Sequence, residues 1–206
     1  MKQSIPASIE QLEKRLKIDL PGKIAQYKMA PSDRVQRDLK MHGKPTKESA
    51  VLILLFPKDK ELHLLLIQRA SYNGPHSGQI AFPGGKFEKL DSNLVSTAIR
   101  ETFEELQIDA KTYKIIGALS PLIIPVSQTM VYPFVAFSEK IPSFKVDGFE
   151  VTDVYILPMS FFLTESNIKI YTNNELSYPF FDFAGKRIWG ATAMMIAELK
   201  FLFQNK

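Results

Sequence analysis

Residues 85–108 read GKFEKLDSNLVSTAIRETFEELQI, and the second half of this stretch carries Glu101, Glu104 and Glu105 within five positions, with Arg100 beside them. At ~100° per residue, Val95, Ala98, Ile99, Thr102, Phe103 and Leu106 gather on one side of a helix expected over 92–106, with Asp91 or Ser92 as its N-cap. The glutamates fall outside that apolar stripe, Glu105 nearest its border. A solvated helix face normally carries compensating charge at i+3 or i+4, but here those positions hold Glu104 and Glu105 after Glu101, then Gln107, Ile108 and Asp109. Arg100 offers one positive charge against three negative ones. A hard divalent cation, which takes oxygen ligands and keeps positions for water and phosphate, would relieve the repulsion, so metal with phosphate is the chemistry this helix suggests.

Upstream, Phe82-Pro83-Gly84-Gly85 supplies paired glycines that let backbone approach the same ion or phosphate. Around this centre the chain reads as strands. AVLILLF (50–56), the turn 57–60 and LHLLLIQR (62–69) suggest a hairpin, and QIAF, KIIGALS, MVYPFVAFS, VTDVYILP, IKIYT and YPFFDF suggest further strands before a closing helix at about 190–203. Many strands with few helices predict an α/β fold, a mixed sheet covered by helices.

The 206-residue composition bounds the rest: its apolar fraction of 45% is ordinary for one main domain. With no cysteine and three histidines, disulfides, thiolate catalysis and a sulfur-ligated zinc site are excluded, and a reducing cytoplasm is the expected compartment. The N-terminus becomes charged before any signal-peptide core forms, and VLILLF is too short to span a bilayer, so no membrane partner is expected. The net charge of +4 is uneven: residues 21–47 hold seven Lys or Arg (Lys23, Lys28, Arg34, Arg37, Lys40, Lys44 and Lys47) against Asp33 and Asp38. With only Tyr27 in range for stacking, that stretch does not make a nucleic-acid site. Residues 1–47 are read as an N-terminal extension lying over a domain of 48–206, with a capping box at Ser8, a helix over 8–17 and breaks at Pro21-Gly22, Pro31, His42-Gly43 and Pro45. Attraction of an anionic small molecule is the role considered for it. Gly74-Pro75-His76-Ser77-Gly78 lacks the glycine spacing of a serine-hydrolase elbow, and Gly85-Lys86 lacks the remaining residues of a phosphate loop.

The 85–108 stretch resembles the Nudix box: Gly85, Arg100, Glu101, Glu104, Glu105 and Ile108 fall in register. Four positions depart from the usual form. Asp91 stands for Glu, the following spacer is one residue longer, Thr102 takes an apolar position, and Gln107 replaces the last Gly. The first two departures, together with LLLIQRASYNGPHSGQIAFPGG (64–85), are similar to the coenzyme A pyrophosphatase branch, although Gly74 stands where that branch has a second Arg. The resemblance runs over about 50–195 and implies an α/β/α sandwich hydrolysing a nucleoside diphosphate derivative with Mg2+ or Mn2+. On coenzyme A or acyl-CoA the products would be 3',5'-ADP and 4'-phosphopantetheine or its acyl form. ADP-ribose, dinucleotides and nucleoside triphosphates are the alternative substrates, and a non-catalytic ligand-binding domain is the alternative role. The resemblance implies Glu104 and Glu105 as metal ligands, Glu101 as ligand or base, Arg100 as their orienting cation and the Gly85 carbonyl as a further ligand. Glu150 is the candidate later acid, Arg69 the phosphate binder, and His76 and Ser77 candidate substrate contacts. A small-molecule nucleotide is the expected partner, and a homodimer is compatible with the sequence.

Overall fold

A computed structural model describes residues 4–18, 20–40, 45–71, 73, 76–146 and 148–204. The His42-Gly43 break, Lys44, Gly74 and Pro75 lie outside the described residues. The helices are α1 (Ile5–Arg15), α2 (Lys23–Gln26), α3 (Arg34–Leu39), α4 (Leu94–Leu106), α5 (Met159–Leu163) and α6 (Gly190–Gln204). The strands are β1 (Lys47–Lys58), β2 (Glu61–Arg69), β3 (Ile80–Ala81), β4 (Gly84–Lys86), β5 (Lys114–Ala118), β6 (Leu122–Ile124), β7 (Thr129–Phe137) and β8 (Val151–Pro158), followed by β9 (Ile168–Thr172), β10 (Ser177–Phe183) and β11 (Lys186–Ile188).

The hairpin of β1 and β2 is the frame of the molecule. Asp59 and Lys60 both take positive φ, 50° and 62°, which gives a two-residue turn whose twist matches the strands it joins. The register then sets Leu55 against Leu64. Side chains alternate across a strand with period two. Hence Ile53, Leu55, Leu64 and Leu66 enter the apolar cluster under α1 and α6, whereas Leu52, Leu54, Phe56, Leu65 and Ile67 enter a second one under Ala98 and Leu106 of α4. The run VLILLF is apolar throughout because its strand is covered on both faces. Truncating any of these fully buried leucines to alanine should cost about 2–5 kcal/mol.

β1 pairs in parallel with β7 and antiparallel with β2 and β4, so the sheet is mixed, in the order β3-β2-β1-β7-β5 with β4, β6 and β8 attached at its sides. β9, β10 and β11 form a separate three-stranded sheet. A mixed sheet between helical layers is the α/β sandwich that the strand pattern predicts.

Ahead of β1, α1 begins at Ile5, three residues earlier than expected. Pro6 suits a first helical turn, and the Ser8 hydroxyl, inside the helix, donates to the Ser4 carbonyl at 3.2 Å instead of capping. Ile9, Leu12, Leu16 and Met29 join the same apolar cluster as Ile53 and Leu55. The buried carboxylate of Glu198 on α6 accepts from the Gly22 N–H at 3.1 Å, the Gln26 amide at 2.8 Å and the Ser120 N–H at 3.3 Å. No helix among the described residues is long and apolar enough to cross a membrane.

Candidate active site

The N-cap of α4 is Asn93, not Asp91 or Ser92. Its side chain accepts from the Ser96 N–H at 3.0 Å while the Ser96 hydroxyl takes the Asn93 N–H at 2.9 Å, a reciprocal cap. Asp91 is left for another partner. At the other end Gln107 occupies the left-handed region, φ 56° and ψ 27°, where the family pattern has glycine. Its N–H donates to the Phe103 carbonyl at 2.8 Å and its side-chain amide to the same oxygen at 3.1 Å. The termination is kept and only the backbone strain of a non-glycine residue is added.

The buried face of α4 is rotated from the predicted stripe. Thr97, Ala98, Thr102, Glu105 and Leu106 are buried, whereas Phe103 is 49% exposed. Thr102 meets an apolar position by donating its hydroxyl to the Ala98 carbonyl at 2.7 Å, so that hydroxyl does not face the core unpaired. The rotation takes Glu105 off the surface: only 2% of it is accessible.

Below α4 lies the β1–β4 pairing, with Val51 opposite Gly84 and Ala50 opposite Gly85. A methyl group at Gly84 would stand 2.3 Å from the Ala50 carbonyl oxygen, and one at Gly85 would stand 2.4 Å from the Glu101 carboxylate. Paired glycines are therefore a steric requirement here. They let the backbone of β4 touch the acids of α4.

Those acids differ sharply. Glu104 is the outermost, its side chain 56% exposed, and accepts from Arg100 Nη1 at 2.9 Å. Glu101 accepts from the same nitrogen at 3.0 Å, and burial raises its pKa against the opposing pull of Arg100. Glu105 accepts from the Gly84 N–H at 2.9 Å through Oε2, while Oε1 is buried without a hydrogen-bond partner, 3.7 Å from Arg69 Nη1. Burial pushes the Glu105 carboxyl up to about 8, opposed by Gly84 and Arg69 and reinforced by Glu101 and Glu150.

Arg100 is itself held by Asp91, which accepts from Nε at 2.9 Å and from Nη2 at 3.0 Å; Nη2 also reaches the Lys86 carbonyl at 3.0 Å. The Thr97 hydroxyl, at 2.9 Å, and the Glu88 N–H, at 2.9 Å, hold Asp91 in turn. The Arg100 guanidinium keeps the Asp91 carboxyl well below the ordinary carboxylate range. Asp91 thus fixes Arg100, and Arg100 fixes two glutamates. Sequence reading missed this role because it considered Asp91 as a cap.

Arg69 ends β2 at a bulge, opposite Val151. The bulge brings Glu150 alongside, its carbonyl accepting from the Ala70 N–H at 2.8 Å and its charge raising both Glu101 and Glu105. Arg69, His76, Gly84 and Gly85 line one cleft of about 720 Å³. His76 takes a positive φ of 66°, and its Nδ1 lies 3.0 Å from the Gln79 side-chain oxygen. Ser77 faces an adjoining pocket with Gln68, Lys186 and Arg187 instead, so the two adjacent candidates do not share one cavity. The cleft wall also contains Arg34, Arg37, Lys47 and Lys86, none singled out from the sequence, although the basic excess of 21–47 marks three of them.

Among the described residues no three His, Asp or Glu side chains converge closely enough to hold a metal ion as they stand. Arg100 stands between Glu101 and Glu104, and Gly84 engages Glu105. Yet the Glu105 oxygen without a hydrogen-bond donor, 3.7 Å from Arg69, and the Glu101 carboxylate against bare Gly85 are hard oxygen donors, the kind suited to magnesium or manganese.

Residues 46–170 match the NUDIX domain model. A protein of Yersinia pestis named an uncharacterized Nudix hydrolase, NudL, is 31% identical over 180 residues, covering 84% of this chain and 88% of that protein. A probable Nudix hydrolase of Schizosaccharomyces pombe is 32% identical over 161 residues, 77% of this chain, and the chain spans only 56% of that longer protein. In fold, the chain is similar to the MutT protein of Methanosarcina mazei, with a TM-score of 0.53 at 18% identity over 81% of this chain and 100% of that one. The Nudix hydrolase of Nitrosomonas europaea gives a TM-score of 0.50 at 20% identity over 80% of this chain and 74% of the other. The chain belongs to the Nudix hydrolase family, enzymes that act on phosphorus-containing anhydrides, generally with divalent metal ions.

Proposed function

We propose that the protein hydrolyses the diphosphate of coenzyme A or acyl-CoA, giving 3',5'-ADP and 4'-phosphopantetheine or its acyl form. The observation that carries the reading is the buried Glu105 oxygen without a partner, facing Arg69 where the acidic helix meets the cleft. An acid held in this way wants a cation on one side and a phosphate on the other. The coenzyme A branch is supported by Asp91 at its position in the box, by the longer spacer and by the 64–85 stretch. A cleft with cations on its wall and apolar Phe82, Val131 and Met195 between them suits a substrate of mixed character.

Glu101, Glu104 and Glu105, with Glu150 and the Gly85 carbonyl, would hold Mg2+ or Mn2+. When bound, such an ion polarises a phosphoryl oxygen and makes water a better nucleophile at neutral pH. The chain supplies the remainder. Arg69 takes phosphate oxygens and orients the phosphorus. Arg100, fixed by Asp91, keeps Glu101 and Glu104 at a set distance from β4. Glu101, with its pKa raised by burial, would serve as a further ligand or accept a proton from the attacking water. Water then adds across the anhydride: one P–O bond forms, the bridging P–O bond breaks, and each product leaves with a phosphate.

Product analysis after incubation with coenzyme A and magnesium tests this directly. Release of 3',5'-ADP, with slower turnover of ADP-ribose, a dinucleotide and a nucleoside triphosphate, is the expected result. Faster turnover of any of those three would reassign the substrate.

A further inference from the structure

The cleft has a second cationic corner, built by α3, which precedes the matched domain, and by the start of β1. Among the described residues lining it there are five arginines and lysines, Arg34, Arg37, Arg69, Lys47 and Lys86, and no aspartate or glutamate. Four buried side-chain atoms of the described protein lack a hydrogen-bond partner: Arg37 Nε, Arg69 Nε, Glu105 Oε1 and the Tyr113 hydroxyl. Three of these belong to the cleft or to the acid behind it. Buried donors without acceptors are rare and costly, so their concentration at one cavity marks where a ligand's oxygens belong.

The two arginines of α3 are not equivalent. Arg34 is fully engaged, donating to Asp38 at 2.7 Å, to the Ile123 carbonyl at 2.6 Å and towards the Met194 sulfur at 3.3 Å. It anchors the helix. Arg37 gives only Nη2 to Asp33, and its Nε meets nothing. In the wall of the same cleft, Lys47 is exposed at the start of β1, paired in register with Thr129. Lys47 precedes Val51, the partner of Gly84, by four residues, about 13 Å of extended strand. This corner therefore faces a different part of the ligand from the diphosphate at Gly84 and Arg69. The Glu198 bonds and the Ser32–Ser177 backbone bond of 2.8 Å hold the segment in place, so Arg37 belongs to a fixed wall.

We propose that Arg37 and Lys47 bind a phosphate monoester that the substrate carries apart from its diphosphate. A planar guanidinium with a spare donor and an ammonium lining the same cleft suit a dianionic phosphate. The inference rests on the reading of the cleft as a diphosphate-ester site and extends it to the 3'-phosphate of coenzyme A.

The test compares coenzyme A with 3'-dephospho-coenzyme A, which differ only in that group. In the native protein kcat/KM favours coenzyme A. Arg37→Gln and Lys47→Gln should each lower this preference about tenfold, through KM rather than kcat, with melting temperatures confirming that both variants fold. A preference unchanged in both variants overturns the proposal. Calorimetric binding of 3',5'-ADP against 5'-AMP measures the same discrimination without turnover. Should neither coenzyme A compound be hydrolysed, the proposed reaction fails, and the binding comparison alone upholds or overturns the phosphate corner.

Discussion

Helix α4, packed on the β4 glycines that line the cleft, and the segment from 20 to 40, which supplies part of its wall, carry opposite surpluses of charge. On α4 Glu101 and Glu104 share Arg100, and the more deeply buried Glu105, 3.7 Å from Arg69, keeps an oxygen without a hydrogen-bond partner. In the preceding segment two aspartates serve more cations than they can match, and Arg37 keeps a nitrogen without a partner. The acidic side is short of a cation and the basic side short of an anion. The difference teaches that each side keeps an unmatched group in the protein alone, and on the proposed reading a metal ion with an anionic substrate would satisfy both at once.

The sharpest way to break the comparison is to remove the acid surplus. Glu105→Gln should lower magnesium-dependent hydrolysis by about 10³-fold while leaving the fold intact, as read by steady-state kinetics and circular dichroism. Near-native activity in that variant would end the metal reading. Next, Gly85→Ala puts a methyl group where the Glu101 carboxylate lies, so the carboxylate must move and kcat should fall about 10²-fold at little cost in substrate binding.

A third expectation concerns pH without metal. The folded Glu105 carboxyl is raised to about 8 from its ordinary 4.5, so between those values the folded state holds a proton that the unfolded chain has released. Stability should therefore be highest below pH 4.5 as far as this group is concerned, and fall as pH rises towards 8. Added magnesium should reverse the fall, and Glu105→Gln should abolish it, both readable by thermal melts in chelator-treated buffer. A melting temperature at pH 8 that ignores magnesium would count against the acidic half. The smallest effect belongs to Gln107→Gly, which relieves a left-handed non-glycine residue and should stabilise by about 1 kcal/mol, with kcat unaltered.

The same contrast explains what could be read in advance. The α4 side was legible because its chemistry is local: the Arg-Glu-Glu-Glu spacing, the paired glycines and the box all lie within 84–108, and short continuous apolar runs announced β1 and β2. Even so, the docking angle was misjudged. An apolar count sends Phe103 inwards and Glu105 outwards, whereas the Gly84 N–H and Arg69 give Glu105 buried partners. The basic segment was legible only as an excess of charge. Its short helices α2 and α3 take their shape from distant groups such as Glu198 and the Ile123 carbonyl, and no periodicity within 20–40 encodes those contacts. Ser77 illustrates the same limit, since sharing a motif with His76 does not put it in the same cavity.

The three bonds that Glu198 accepts bear on how this gene can be trimmed. Two of them come from Gly22 and Gln26, residues well ahead of position 46, where the match to the family begins. A recombinant product starting there would leave a charged group facing oil with most of its partners gone, beside leucines stripped of Leu12 and Met29. Such a fragment should be recovered as aggregate, and any soluble yield should be rescued by Glu198→Gln more readily than by refolding conditions.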